Sequence, residues 1–332
     1  MNLVTGATGH IGNVLVRDLL ARGERVRAML MPGEDPSPLY GLDVERIEAD
    51  VLDFQSLLRA FLGIEVVYHL AGIISIMPGK DNLVQAVNVI GTRNVIQAAR
   101  LCGVRRFVYT SSIHALSRIP HGTTIDESVP FDPQHAISMY DYSKAQASLE
   151  VLEAVQTGLD AVIACPTGVI GPHDYRRSEL GQLILDCVQH KPMFYVEGAY
   201  DFVDVRDVAQ GLILASEKGQ TGESYILSGE RLSVLGMIKS LQEILGKRLV
   251  TLKIPMSLAR FSARFTPLYY QLSRKKPRFT PYSLETLESN SVISNAKAVR
   301  ELGYTARPLN VTLADTVRWF RQRYSKQTGS AG

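Results

Sequence analysis

Two residues of complementary chemistry, Tyr140 and Lys144, stand in the run Tyr140-Asp141-Tyr142-Ser143-Lys144, which opens a segment of helical periodicity. An i, i+4 spacing puts both on one helix face, a turn apart. A phenol with an ordinary pKa near ~10 is a poor base at neutral pH. A neighbouring ammonium favours the phenolate, which makes the tyrosine a workable proton donor and acceptor for a carbonyl or an alcohol. Ser112 ends the apolar run Phe107-Val108-Tyr109-Thr110 and can hold the same substrate oxygen by a second hydrogen bond. YxxxK arises often by chance, and these residues also read as a surface Tyr–Lys pair and a loop serine.

A second signal lies at the start of the chain, in Thr5-Gly6-Ala7-Thr8-Gly9-His10-Ile11-Gly12, directly after a strand and opening a helix. Glycine at 6 permits a tight turn, at 9 lets the backbone approach a pyrophosphate, and at 12 allows close helix–sheet packing. The helix N-terminus presents free N–H groups and a positive dipole end to phosphates. The spacing is GxxGxxG, and the alternative is an ordinary strand–helix turn. Its position at the head of a βαβ run favours a dinucleotide site. Asp50, after the third strand, is placed to accept a hydrogen bond from an adenine amino group; the other reading is a helix N-cap, a job for which Asp53 sits better. His69-Leu70-Ala71-Gly72 ends the fourth strand, where small residues would admit a cofactor close to the backbone, and His69 itself reads as a packed strand residue. At the end of the second strand, Arg27-Ala28-Met29-Leu30-Met31-Pro32 offers neither the carboxylate that grips a ribose 2′-hydroxyl nor a well-placed arginine for a 2′-phosphate. Glu34 and Asp35 follow closely and would repel that phosphate, a slight lean to NAD over NADP.

The elements that must position these residues are legible as alternation. Strands are expected at Asn2–Thr5, Arg25–Leu30, Val44–Glu48, Val66–Leu70, Arg106–Thr110, Ala161–Cys165 and Tyr225–Leu227. They read as apolar runs, as a sheet covered on both faces requires. Helical patterns lie between them: Ile11, Val14, Leu15 and Leu19, stopped by Gly23; Leu83, Val87, Ile90, Val95 and Ala98, ending near Gly103; and the Tyr140 helix, its core face continuing through Leu149, Leu152 and Val155. The expected fold is α/β, a Rossmann-type doubly wound parallel sheet with a smaller C-terminal substrate domain. Residues 1–165 form the nucleotide-binding part, with 200–228 returning to it; 166–199 and 229–325 form the substrate domain, with a helix at Val234–Leu245 and a last helix carrying Leu313, Val317, Phe320 and Tyr324; 326–332 is a frayed tail. Lys253–Leu284 is basic and aromatic, a lid, a patch for anionic membrane surfaces, or an amphipathic helix with a solvated rim.

Composition narrows the class. With 332 residues, 45% of them hydrophobic and 21% charged, the chain has ample core material and no disorder signature. A net charge of +3 is too balanced for a dedicated nucleic-acid binder. No apolar run is long enough to span a membrane, and no signal peptide is visible. Three scattered cysteines, Cys102, Cys165 and Cys187, fit reduced thiols in a cytoplasm. Histidines never pair at metal-ligand spacing, so no metal is expected, and no GxSxG elbow for a hydrolase is present.

The combination TGxxGxxG, Asp50, HLAG, YTSS and YxxSK, in this order, resembles the extended short-chain dehydrogenase/reductases, over nearly the whole chain. The resemblance implies Tyr140 as acid/base, Lys144 on the nicotinamide ribose and lowering the tyrosine pKa, and Ser112 orienting the substrate oxygen. It further implies cofactor contacts from Gly6, Thr8, Gly9, His10, Ile11, Gly12, Met31, Asp50, Val51, Leu70, Ala71, Gly72, Pro166, Thr167 and Val169. Asn88 also matches a family position, with a helix-packing role as the alternative. Where nucleotide-sugar enzymes carry asparagine in FNxxG, this chain has Cys165-Pro166-Thr167-Gly168-Val169; where they carry an arginine, Tyr200 precedes Asp201-Phe202. Pro166-Thr167-Gly168-Val169-Ile170-Gly171-Pro172 and Glu301-Leu302-Gly303-Tyr304 look closer to the 3β-hydroxysteroid dehydrogenase and dihydroflavonol 4-reductase branch. The expectation is an NAD(P)-dependent ketone/alcohol oxidoreductase for an apolar small molecule, with His114 and Tyr200 as candidate substrate contacts. A nucleotide-sugar 4-epimerase or dehydratase with tightly held NAD, and a non-catalytic NAD(P)-binding regulator, are the alternatives. Such relatives commonly form homodimers through two helices, for which Leu83–Arg100 and Tyr140–Val155 are the candidates.

Overall fold

The computed structural model describes residues 1–74, 79–263 and 280–329. Seven strands form one parallel sheet: β1 (Asn2–Thr5), β2 (Val26–Leu30), β3 (Glu45–Glu48), β4 (Val66–His69), β5 (Arg106–Thr110), β6 (Ala161–Pro166) and, after three strands of the smaller sheets, Ser224–Leu227. Those intervening strands are β7 (Gly168–Ile170), β8 (Met193–Tyr195) and β9 (Ala199–Asp204), so Ser224–Leu227 is β10; β11 (Glu230–Ser233) and β12 (Thr251–Lys253) follow. The large sheet runs β10-β6-β5-β4-β1-β2-β3. Chain order reverses between β1 and β4, so a crevice opens at their carboxyl ends, where open α/β sheets bind ligands.

Helices cover both faces. On one lie α1 (His10–Ala21) and, later in the chain, a helix at Val205–Lys218; on the other lie α2 (Phe54–Phe61), α3 (Asp81–Gln85), a π-turn over Ala86–Ile90, α4 (Gly91–Leu101) and α5 (Met139–Gln156). With α6 at Glu179–Val188, the Val205–Lys218 helix is α7. Local chemistry sets the ends of these helices. Gly23 (φ +77) follows α1, Asp53 caps α2 by accepting from Gln55 and Ser56 N–H, and Ser138 caps α5 by accepting from Asp141 N–H at 3.1 Å.

Three expectations change. β3, Glu45-Arg46-Ile47-Glu48, is not buried on both faces; it is the sheet edge, where charge blunts unwanted pairing. Leu149 does not continue the core face of α5: it is 37% exposed, and the buried face is Ala147, Ser148, Val151 and Ala154. Leu83 and Ile90 are also exposed: the buried face of this segment runs through Val84, Asn88 and Val89 instead.

The rest of the chain builds a smaller layer: a sheet β11-β9-β7, a strand pair β12-β8, and helices α6, α8 (Val234–Leu245), α9 (Met256–Ala263), α10 (Pro281–Glu288) and α11 (Leu309–Gly329). Within residues 200–228, α7 and β10 join the large sheet, whereas β9 belongs to the small one. Leu313, Val317 and Phe320 are buried on α11, and helical backbone continues through 326–329, so that part of the expected frayed tail is ordered as helix. Of the basic aromatic segment, 264–279, with Phe265, Leu268, Tyr269, Tyr270 and Phe279, lies outside the described residues. In the described part, Lys253 pairs with Glu197 at 2.5 Å and Arg260 pairs with Glu288, while Leu258 and Phe261 are exposed. Among the described residues no helix is long and apolar enough to cross a membrane.

Candidate active site

At the crevice, Gly6 adopts a left-handed φ of +66, and a Cβ there would stand 2.9 Å from Ala71 N. A Cβ on Gly12 would stand 2.2 Å from the Gly6 carbonyl oxygen, so the turn folds onto its own helix only without side chains. The N-cap of α1 is Gly9, which brings no side-chain cap, and the first-turn N–H groups of His10, Ile11 and Gly12 are left for an anion. These features fit a dinucleotide pyrophosphate.

A buried chain of hydrogen bonds holds the crevice walls together. Thr5 Oγ1 accepts from Leu70 N–H at 3.1 Å and Ala71 N–H at 3.0 Å, so its own proton goes to His69 Nδ1, 2.8 Å away. His69 Nε2–H then donates to Thr92 Oγ1 at 3.0 Å, and Thr92 donates to the Asn88 carbonyl at 2.7 Å. Burial pushes the His69 pKa down to about 3, and the adjacent Lys144 charge adds to this. His69 is therefore a neutral packing element that pins β4 to β1. Asn88 is a packing bonder too: it accepts from Ile73 N–H at 2.7 Å and donates to Ser143 Oγ at 2.9 Å, tying the π-turn to the catalytic helix.

The turn beyond β2 brings a carboxylate back to the strand end. Glu34 N–H donates to the Met31 carbonyl at 3.0 Å, and the turn brings the Glu34 carboxylate back to accept from Met31 N–H at 2.9 Å and Thr8 Oγ1 at 2.6 Å. Arg176, from the loop after β7, closes this group by pairing with Glu34 and donating to Thr8 Oγ1 at 2.7 Å. Met31 is 58% exposed at the strand end. Arg27 is remote from this role, its guanidinium held by Glu45 and by the Ala60 and Leu62 carbonyls. Asp50 accepts from Leu52 N–H at 2.9 Å and does not cap α2, which Asp53 does. Val51 is buried against Gly91, where a Cβ would stand 2.6 Å from its methyl.

Tyr140, Lys144 and Ser112 meet on the other side of the crevice. Lys144 is buried; its Nζ donates to the Thr110 carbonyl at 2.5 Å and to Tyr109 Oη at 3.2 Å, and lies 4.7 Å from the centre of the Tyr109 ring. No carboxylate pairs with it in these contacts, and burial pulls its pKa down to about 8. Ser112 is buried and accepts from His114 N–H at 3.2 Å, and its side chain acts on the Tyr140 phenol to lower the phenol pKa. The Tyr140 pKa is pushed up to about 12 by burial; the Ser112 side chain opposes this, and the Asp141 carboxylate adds to it. The Lys144 ammonium is directed at Tyr109 and Thr110, and desolvation of the phenolate is the largest cause of the Tyr140 shift.

Beyond this trio lies a cavity of mixed lining, in which Ile113, Leu116, Ile125 and Ile293 are joined by polar and charged groups that include His114, Tyr200, Arg118, Asp141, Glu285 and Glu288. His114 is half-buried, neither an exposed loop residue nor free: its Nε2 is 2.7 Å from Tyr200 Oη, and the two rings stack at 8° with centroids 5.7 Å apart. Tyr200 lies against the backbone at Gly168, where a Cβ would come within 2.9 Å of its ring. Pro166 ends β6, Thr167 Oγ1 donates to Asp201 Oδ1 at 2.6 Å, and Val169 pairs with Val203, so this backbone is held from β9. Sequence reasoning read Glu34 only as a charge that would repel a 2′-phosphate, and missed the roles of Arg176, Asp141 and Tyr282. Tyr282, on α10, donates to Asp141 Oδ1 at 2.7 Å across 141 positions, a contact no local pattern signals. Asp141 was visible beside Tyr140, but its burial was not. Among the described residues no cluster of His, Cys, Asp or Glu could hold a metal ion.

A parallel sheet with a glycine turn at its reversal point, and a Ser–Tyr–Lys trio across the crevice, define a dinucleotide-dependent oxidoreductase of the Rossmann type. The model of the NAD dependent epimerase/dehydratase family matches residues 2–228, and the chain belongs to that family. Within it the chain is an extended short-chain dehydrogenase/reductase of the 3β-hydroxysteroid dehydrogenase and dihydroflavonol reductase type, and an NAD(P)-dependent enzyme. It is 40% identical to sterol demethylase protein B of Methylococcus capsulatus, over 97% of this chain and 98% of that one. It is 31% identical to 3beta-hydroxysteroid-dehydrogenase/decarboxylase isoform 1 of Arabidopsis thaliana, over 79% of this chain and 63% of that one. The crystal structure of gox2253 superposes with a TM-score of 0.85 at 34% identity, covering 97% of this chain and 98% of that one.

If Ser112 donates to the substrate oxygen as the resemblance implies, replacing it by alanine removes that donor without touching the glycine turn. The chemical step is expected to slow by about 10²-fold, as for loss of a single oxyanion-type donor. Nucleotide affinity should stay within about 2-fold, which stopped-flow turnover alongside calorimetric titration would check.

Proposed function

We propose that this enzyme interconverts a ketone and a secondary alcohol on an apolar, ring-containing small molecule, with NAD as the preferred nicotinamide cofactor. The observation that carries the redox reading is the Ser112–Tyr140–Lys144 trio; the cavity beside it mixes Ile113, Leu116, Ile125 and Ile293 with Arg118, Asp141, Glu285 and Glu288, so the apolar substrate rests on the names of the relatives. Tyr200, bonded to His114, occupies the position where nucleotide-sugar enzymes are expected to present an arginine to a diphosphate. The names of the relatives, a sterol demethylase component and a hydroxysteroid dehydrogenase, support a polycyclic lipid-like substrate.

When bound, NAD(P) would supply hydride exchange at the carbinol carbon; Gly6, Gly9, Gly12 and the α1 N-terminus would hold its pyrophosphate, and Lys144 its nicotinamide ribose. Ser112 orients the substrate oxygen. Tyr140 Oη gives a proton to that oxygen in reduction and removes it in oxidation. Asp50 and the backbone at Leu70–Gly72 and Pro166–Val169 complete the cofactor groove in this reading. The lean to NAD rests on Glu34, whose carboxylate can accept from a ribose 2′-hydroxyl.

Exposed Leu83, Ile90 and Leu149 on the α3–α4 and α5 surface support pairing of two copies through these helices. The free cysteines support a reducing, cytoplasmic setting.

The testing experiment offers purified enzyme with NAD or NADP a panel of neutral hydroxysteroids, flavonoid ketones and UDP-sugars. Oxidation or reduction of the apolar members, with UDP-sugars untouched, is expected. Turnover of UDP-sugars alone, with near-stoichiometric NAD released on denaturation, would replace this reading with the epimerase one.

A further inference from the structure

Resting on the oxidoreductase reading, we propose that Tyr282 is a positioning residue for the reaction: it braces Asp141 and His114 and so fixes Tyr140 and Ser112 against each other. Tyr282 comes from α10, in the smaller layer, and reaches across 141 positions of chain to the helix that carries Tyr140. Its phenol donates to Asp141 Oδ1 at 2.7 Å, and its ring centroid lies 5.7 Å from that of His114. Asp141 is the residue after Tyr140, and the His114 N–H donates to Ser112 Oγ at 3.2 Å. One aromatic side chain thus reaches the immediate support of both groups that handle the substrate oxygen in the proposed mechanism. Asp141 and His114 line the cavity, whereas Tyr282 is not among its described lining residues, so it acts through these two.

Asp141 is 3% exposed, and Tyr282 is the one side chain among the described residues that donates to its carboxylate. A buried carboxylate stripped of that donor is left under-solvated and draws toward water. Asp141 and Tyr140 share the first turn of α5, so a shift of one moves the other. The opposite side of that turn is held by the large-sheet layer: Ser143 Oγ donates to the Tyr140 carbonyl at 2.9 Å and accepts from Asn88 Nδ2 at 2.9 Å. Tyr282 supplies the matching grip from the smaller layer. Its helix is built for this. Pro281 and a Thr280–Ser283 capping box fix the first turn of α10, which carries Tyr282. Leu284 is buried, and a Cβ on Gly198 would stand 2.7 Å from Leu287 Cβ, so α10 is closely seated. Beyond it, Asn290 Nδ2 donates to the Thr123 carbonyl at 2.6 Å and Ile125 N–H donates to the Val292 carbonyl at 2.8 Å. The same segment therefore also braces the loop that follows Ser112.

The experiment takes the panel substrate that wild type turns over fastest and measures kcat and KM for Tyr282→Phe, Asp141→Leu, Asp141→Asn and Tyr282→Phe/Asp141→Leu. Amide exchange in the first turn of α5 is followed by mass spectrometry in the protein without substrate. Tyr282→Phe keeps the ring and loses only the hydroxyl; kcat should fall by about 10-fold to 10²-fold with KM within about 3-fold, the mark of a misplaced reacting group. First-turn exchange should quicken by about 10-fold. The double variant should be within about 3-fold of the slower single one, because both changes break one bond. Asp141→Asn, which keeps an acceptor for the phenol, should recover at least about 5-fold of the turnover lost in Asp141→Leu. Wild-type kcat in Tyr282→Phe overturns the proposal even if exchange quickens, since the role is then structural alone. Unchanged exchange overturns it, as does a loss confined to KM, which marks a substrate contact. Losses that multiply in the double variant, or no recovery in Asp141→Asn, overturn the route through Asp141. Should Asp141→Leu not fold, kcat and exchange in Tyr282→Phe decide. Wild type that turns over no member of the panel would instead overturn the oxidoreductase reading beneath it.

Discussion

Tyr140→Phe should turn over every accepted substrate at least about 10³-fold more slowly, with nucleotide affinity within about 3-fold of wild type. In the proposed mechanism the phenol moves the proton at the substrate oxygen; Ser112 acts on it to lower its pKa, and the neighbouring Asp141 lines the cavity that includes His114 and Tyr200. Phenylalanine keeps the ring and its packing and removes only the ionisable oxygen. The pH dependence follows from the same group. With the phenol pushed up to about 12 by burial, it stays protonated across the neutral range. Reduction, which needs the neutral phenol, should be nearly flat from pH 6 to 9 (roughly, given that value). Oxidation, which needs the phenolate, should rise with pH over the same interval. Asp141→Asn removes a buried negative charge that opposes the phenolate, so the oxidation profile should move to lower pH. Undiminished turnover in Tyr140→Phe would remove the acid/base role altogether, and initial-rate measurements in both directions decide it.

Lys144→Ala is the second large effect, and it should strike both binding and chemistry. Nucleotide affinity is expected to fall by about 10-fold and turnover by about 10²-fold or more, through lost orientation of the nucleotide against the substrate. Wild-type nucleotide affinity in the variant would contradict the ribose-binding role. A stability signature accompanies it. Burial lowers the lysine from its ordinary 10.5 to about 8, so between those values the unfolded chain holds the proton more tightly than the folded one. The stabilisation from this group is complete above 10.5 and is lost as pH falls through about 8. Wild type should therefore gain stability between about pH 8 and 10.5 relative to Lys144→Ala, which urea denaturation at several pH values would show.

What the sequence determined by itself lies within short spans of chain. The glycine turn, the strand at Phe107–Thr110 leading into Ser112, the capped helix that begins at Met139, and the i, i+4 pairing of Tyr140 with Lys144 are each specified within about two helical turns or one strand–turn unit. The alternation of those units was enough to read the parallel sheet. Tertiary structure decided what depends on residues far apart in the chain. Leu149 looked like core by periodicity, yet α5 packs through the smaller Ala147, Ser148, Val151 and Ala154, and the leucine faces out. The Glu34 carboxylate is set beside the glycine turn by its own turn, a threonine from the glycine loop and an arginine 142 positions away. The direction of the Tyr140 shift followed the same logic: the i, i+4 rule places an ammonium one turn away, but desolvation is a sum over every element that closes around the phenol, and that sum outweighs one neighbour whose ammonium is turned toward Thr110.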